Sequence, residues 1–197
     1  QDIFLSGRNF GVLAGLVLEH RRREEILRRG LPVRSRLLLC GGPGTGKTMC
    51  AEVFAGELGL PLFVVKLDRL ISSYLGETAS NIRRIFEFAR THPSVVFLDE
   101  FDALARARDN DAEHGELRRV VNSLLVFIDR IQPNGFLIAA TNLEGSLDPA
   151  IWRRFDEVIW FDLPTKLQVR RILERKFRNV AIDFDVREEA DALVGFS

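Results

Sequence analysis

Five runs along the chain are almost continuously apolar: RLLLC (36–40), LFVVKL (62–67), SVVFLD (94–99), GFLIAAT (135–141) and EVIWF (157–161). Runs of this length without alternation predict parallel strands covered on both faces. Between them the apolar positions recur at helical spacing, predicting helices over about 12–29, 46–58, 78–91, 115–130 and 166–177. Strand and helix in alternation imply an α/β layered domain. From Pro164 onward no further strand is predicted. TKLQVRRILERKF and DVREEADALV read instead as amphipathic helices. The stretch ARARDNDAEHG (105–115) reads as a polar loop, and there is no internal repeat.

Composition narrows this picture without redirecting it. The 197 residues are 46% hydrophobic and 28% charged, enough for one good core and a small second one. The formal net charge of +0 leaves no global field toward nucleic acid or an anionic membrane. No apolar run approaches the roughly 20 residues of a membrane span, and no signal peptide is visible. The two cysteines, Cys40 and Cys50, make no disulfide framework. They read as buried, reduced thiols of a cytoplasmic protein. A chain that opens on Gln1 and breaks off at GFS is expected to be a fragment. The basic stretch HRRREEILRR (20–29) reads as the polar face of a helix whose Leu13, Leu16, Val17, Ile26 and Leu27 pack inward. His20, His92 and His114 are too scattered to suggest a metal site.

The chemistry begins after the first strand. GGPGTGKT (41–48) fits G-x-x-x-x-G-K-[ST] through Gly41, Gly46, Lys47 and Thr48, and it opens a helix. The glycines let the backbone curl so that successive N–H groups converge on phosphate oxygens. The helix aims its positive end at the same anion. Lys47 adds a movable charge for the outer phosphates, and the Thr48 hydroxyl is a hard ligand suited to Mg²⁺. The expected cradle runs through Gly42, Pro43, Gly44, Thr45, Gly46, Lys47, Thr48 and Met49.

A second site element ends the third strand. VVFLDEFD (95–102) closes on three carboxylates. Acidic residues can simply cap a strand. A phosphate loop upstream and a carboxyl-end position facing the ligand crevice favour a functional reading. Asp99 is then the Mg²⁺ ligand, Glu100 accepts the proton of an attacking water, and Asp102 braces them.

These segments, with SSYLGETASNIRRIFEFAR between them and AATN…LDPAIWRRFD after them, resemble the AAA ATPases from about residue 35 to 197. The resemblance implies a P-loop NTPase fold with a five-stranded parallel sheet of order 5-1-4-3-2 flanked by helices. It implies a large α/β domain over 1–163 and the beginning of a helical lid over 164–197. It implies Mg²⁺-dependent ATP hydrolysis in a homo-oligomeric ring, a hexamer in the full-length protein. Asn142 matches the family's first sensor, which orients the attacking water. Arg153 and Arg154 match the arginines that reach a neighbour's γ-phosphate, in the compact form of katanin-like members. On residue type alone, paired arginines are usually a solvated surface. The chain departs from the family at its start, where DIFLSG only faintly echoes the usual adenine-flanking signature. The following basic residue is also replaced, at Glu157 or Val158. A bacterial member is expected.

The stretch SSYLGET (72–78) decides between clients. Its Tyr74 is the only tyrosine in the chain. Core burial is the default for a tyrosine and a leucine. In the family this position is a pore loop, where Tyr74 and Leu75 grip a client and Gly76 supplies a tight turn. The polar run DNDAEHG is either a second pore loop or a plain surface loop. A nucleic-acid machine of the clamp-loader or helicase-loader type predicts a basic loop instead. The stretch 72–78 has no basic residue and carries Glu77. A polypeptide client is therefore expected, with no membrane and no nucleic acid partner.

Overall fold

Leucine, valine and phenylalanine dominate the strands, and their side chains alternate between two cores. In the computed structural model, which describes residues 3–72, 75–104, 114–130, 134–142, 149–179, 185–193 and 195, five strands form one sheet. They are β1 (Arg36–Gly41), β2 (Leu62–Lys66), β3 (Ser94–Asp99), β4 (Gly135–Thr141) and β5 (Glu157–Phe161). All pairings are parallel and the order is β2-β3-β4-β1-β5, the expected 5-1-4-3-2 read from the other edge.

Leu38, Cys40, Val96, Leu98, Leu137 and Ala139 face one core. There they meet Ile82 and Phe86 of α5 (Leu75–Thr91) and Val121, Leu124 and Ile128 of α6 (His114–Arg130). Leu37, Leu39, Val95, Phe97, Phe136 and Ile138 face the other. It is closed by Leu13 and Leu16 of α1 (Gly7–Arg21) and by Ala51 and Phe54 of α3 (Lys47–Leu58). This period of two along each strand, with helices over both faces, gives the α/β sandwich its two layers of packing.

Several local expectations change. The helix predicted over 12–29 is two helices, α1 and α2 (Arg23–Arg28), broken at Arg22. Leu13 and Leu16 are buried as expected, but Leu27 is exposed, because the break takes α2 off the core-facing stripe. Strand β2 is not covered on both faces. Phe63 and Val64 are exposed, because β2 lies at the sheet edge with only β3 as its described neighbour. The chain after β2 turns at once into α4 (Leu67–Ser72). Helix α5 starts at Leu75 rather than 78, so Gly76 lies inside a helix and not in a turn before it. A short α7 (Pro149–Trp152) precedes β5. Beyond it come α8 (Lys166–Lys176), opened by a Thr165–Gln168 capping box, and α9 (Val186–Ala192). Cys40 and Cys50 are both buried and unbridged. Burial pushes the Cys50 thiol up to about 12. Among the described residues no helix is long and apolar enough to cross a membrane.

Candidate functional site

In a parallel sheet every strand delivers its carboxyl end to the same edge. Cys40 of β1 pairs with Thr141 of β4, and Leu98 of β3 pairs with Ala139 of β4. The residues that follow therefore leave neighbouring strands side by side, at strand spacings of about 4.8 Å. They are the phosphate loop after β1, Asn142 after β4, and Asp99 with Glu100 at the end of β3.

The loop is shaped by close approach and by backbone sign. Gly41 has φ 152°, and a Cβ there would lie 2.2 Å from the Phe161 carbonyl oxygen of β5. Gly44 and Gly46 follow at φ 74° and 94°, and Gly46 is the N-cap of α3. Left-handed backbone at these positions suits glycine. It also turns N–H groups inward at a helix N-terminus, the arrangement that binds anions. The Thr45 hydroxyl donates to the Gly42 carbonyl at 2.8 Å and braces the curl. Lys47 is buried, and its ammonium donates to the Gly41 and Gly42 carbonyls at 2.7 Å each. Its ammonium thus sits at the mouth of the loop, where a phosphate could be met. Thr48 and Met49 are exposed on the first turn of α3.

Glu100 is the only described residue other than glycine with positive φ, at 57°. Its backbone N–H donates to the Asp99 carboxylate at 2.9 Å. Partial burial, then the hydrogen bond and charge of Asp68, then the charge of Asp99 raise its carboxyl above the ordinary carboxylate range, against the pull of Lys66. Strained backbone, a perturbed acid and crowded carboxylates in one place make this turn a candidate functional site. Asp68, on α4, also has a buried Oδ1 without a hydrogen-bond partner. Sequence reasoning missed this residue, because LDRLIS is too short to show a period. Asp102 is buried, and its Oδ1 accepts the Asn142 backbone N–H across a long 3.4 Å. Phe101 N–H donates to the Ala140 carbonyl at 2.8 Å. The carboxylate turn and the Asn142 turn are thus tied together.

The paired arginines separate. Arg153 is exposed in the turn after α7. Arg154 is half-buried and committed to its own chain. Its guanidinium donates to the Leu125 carbonyl at 3.2 Å and pairs with the Asp129 carboxylate of α6. Tyr74 and the segment 105–113 lie outside the described residues. Leu75 and Gly76 are placed only as the first turn of α5.

Beside the phosphate loop lies a cavity of about 660 Å³, within the size range of small-molecule sites. Gly44–Gly46 and Met49 form one wall, Ile3–Ser6 and Asn9 a second, and Gln168, Arg171 and Ile172 of α8 a third. No motif marks the α8 wall. Ile3–Ser6 fall in the stretch that only faintly echoed a signature. The donors present fit Mg²⁺: a hydroxyl at Thr48 and a carboxylate at Asp99, hard oxygens few enough to leave room for water and phosphate. Among the described residues no cluster of three His, Cys, Asp or Glu side chains offers an all-protein metal cage.

Residues 37–163 match the family described as "ATPase family associated with various cellular activities (AAA)". An uncharacterized AAA family ATPase, y4kL, of Sinorhizobium fredii is 66% identical over the whole chain, which spans 59% of that relative. The ATP-dependent zinc metalloprotease FtsH 3 of Sphaerobacter thermophilus is 36% identical over 94% of the chain and 39% of the relative. A putative 26S proteasome regulatory subunit homolog of Methanothermobacter marburgensis is 41% identical over 76% of the chain and 41% of the relative. The chain thus spans less than two thirds of each of these proteins.

Proposed function

The chain belongs to the AAA family of ATPases, and from that premise we propose that it hydrolyses ATP to ADP and phosphate and uses the cycle to remodel a polypeptide client within a ring of its own copies. The observation that carries this reading is the common edge of β1, β4 and β3, where the phosphate loop, Asn142 and the Asp99–Glu100 pair emerge side by side. The cradle from Gly42 to Met49, with Lys47 at its centre, binds the phosphates. Thr48 and Asp99 would hold Mg²⁺, which when bound neutralises phosphate charge. Glu100 takes the proton of the attacking water, helped by its raised proton affinity. Asn142 orients that water. Arg153, exposed and outside the ion pairs among the described residues, is the better placed of the two arginines to reach a neighbouring copy. Arg154 sets the turn through Asp129. Tyr74, Leu75 and Gly76 contact the client, and residues from 164 onward begin the lid.

The names of the protease and proteasome relatives support a protein client. ATP turnover should rise on adding an unfolded polypeptide and not on adding single-stranded DNA. Tyr74→Ala should abolish that rise while sparing basal turnover. Stimulation by DNA alone, surviving Tyr74→Ala, would make the protein a nucleic-acid machine instead.

A further inference from the structure

The chain has two cysteines and one methionine, and all of its sulfur lies between positions 40 and 50, around the phosphate loop. The three side chains differ in access. Cys40 is fully buried in the core between the sheet and α5–α6. Cys50 is 2% exposed, in the core on the other face of the sheet. Met49 is 43% exposed. An oxidant arriving from solution therefore meets one sulfur first, that of Met49.

Met49 also stands where oxidation has consequences. It follows Thr48 on the first turn of α3 and lines the cavity beside the phosphate loop. It lines an adjoining cavity of about 410 Å³ as well, whose wall adds Glu52, Val53 and Arg175. Phe4, Ile172 and Lys176 belong to both walls with it. The thioether is thus part of an apolar junction, with Phe4 and Ile172, between the phosphate loop and α8. A flexible, polarizable thioether suits an irregular apolar wall. Its sulfoxide is polar and chiral, and does not. A nucleotide closing on this wall would have to desolvate the new S–O group.

We propose that Met49 is an oxidation site, at which a hydroperoxide converts the thioether to the sulfoxide and thereby weakens nucleotide binding at the adjoining phosphate loop. This rests on the reading of that loop as a nucleotide site. In the step, a sulfur lone pair attacks one oxygen of hydrogen peroxide. An S–O bond forms and the O–O bond breaks. The hydroxide that leaves takes the proton carried by the transferred oxygen and becomes water. Sulfur is oxidised by two electrons and the peroxide is reduced by two. The change is reversible by methionine sulfoxide reductases, one for each sulfoxide epimer.

The full chain is treated with hydrogen peroxide, and mass spectrometry of its peptides locates the added oxygen. Met49 should gain one oxygen before either cysteine reacts. Calorimetry with Mg·ADP is run before and after treatment. Affinity should fall by about fivefold or more once Met49 is oxidised. It should recover after incubation with both methionine sulfoxide reductases and dithiothreitol, and not after dithiothreitol alone. Met49→Leu is compared only with itself, and peroxide should change its affinity by less than about twofold. Oxygen appearing first on Cys40 or Cys50 overturns the proposal. So does unchanged affinity with Met49 oxidised, recovery with dithiothreitol alone, or an equal loss in Met49→Leu. The measurements on the unsubstituted chain decide the matter even if the leucine variant is too unstable to study. Absence of binding heat before any peroxide is added would instead remove the nucleotide reading, and this inference with it.

Discussion

The two ends of one sheet are built on opposite principles. At the amino-terminal edge, charges are matched. The Asp156 carboxylate accepts the Ser35 and Arg36 backbone N–H groups at 2.8 and 2.9 Å and pairs with the Arg36 guanidinium at 2.9 Å. Arg34 is shared between Glu19 of α1 and Glu157 of β5. At the carboxyl-terminal edge, charges are mismatched. Asp68, Asp99 and Glu100 crowd together, and Glu100 has left-handed backbone. The first edge holds the fold together. On the proposed function, the second gives up stability for chemistry, as functional sites commonly do.

Substitutions at the two edges should therefore have opposite signatures. Lys47→Ala carries the largest expected effect, removing the only cation of the phosphate loop. Nucleotide affinity should fall at least a hundredfold by calorimetry, since a charge-assisted contact to phosphate is lost, worth about 3 kcal/mol. Its melting temperature should change little. Retained affinity would break the comparison from the functional side.

Asp156→Ala attacks the other edge. It strips a partner from Arg36 and leaves two backbone N–H groups unpaired. A loss of about 2–3 kcal/mol is expected, or a melting point lower by about 5–10 °C. Below that melting point nucleotide affinity should persist. Loss of affinity without loss of stability would place Asp156 in the site.

His20 gives the smallest effect and a pH signature. Its ring lies 5.5 Å from Phe136, and its Nδ1 is buried without a partner. Burial, then the charge of Arg23, lowers its proton affinity. The unfolded chain binds the proton more readily, so stability is complete above the unfolded value of about 6.5 and declines as pH falls below it. The melting point should drop by about 2 °C between pH 7 and 5.5, and His20→Gln should remove that slope. An unchanged slope would show that the acid sensitivity does not come from His20.

The fold was largely legible because parallel, two-sided strands leave continuous apolar runs, as in LLLC and VVFL. Strand β2 has the same composition, yet its Phe63 and Val64 are exposed. Edge position depends on partner order, which a local pattern does not encode. The phosphate loop was legible because its chemistry is contiguous. The arginine pair was not separable by type, since what distinguishes Arg154 is Asp129, distant along the chain on α6. Asp68 and the α8 cavity wall were missed for the same reason: their meaning comes from tertiary placement. Tyr74, on which the client reading turns, lies outside the described residues.

The contrast between the two edges is tested most directly by measuring turnover and thermal stability together in Glu100→Gln. A carboxyl whose proton affinity is raised in the folded chain is one whose charge the fold opposes at neutral pH, so neutralising it should not destabilise. The account predicts bound ATP, turnover reduced at least a hundredfold, in the range of a lost general base, and a melting point unchanged or higher by about 1–3 °C. Turnover at the normal rate, or a melting point lowered like that of Asp156→Ala, would contradict it.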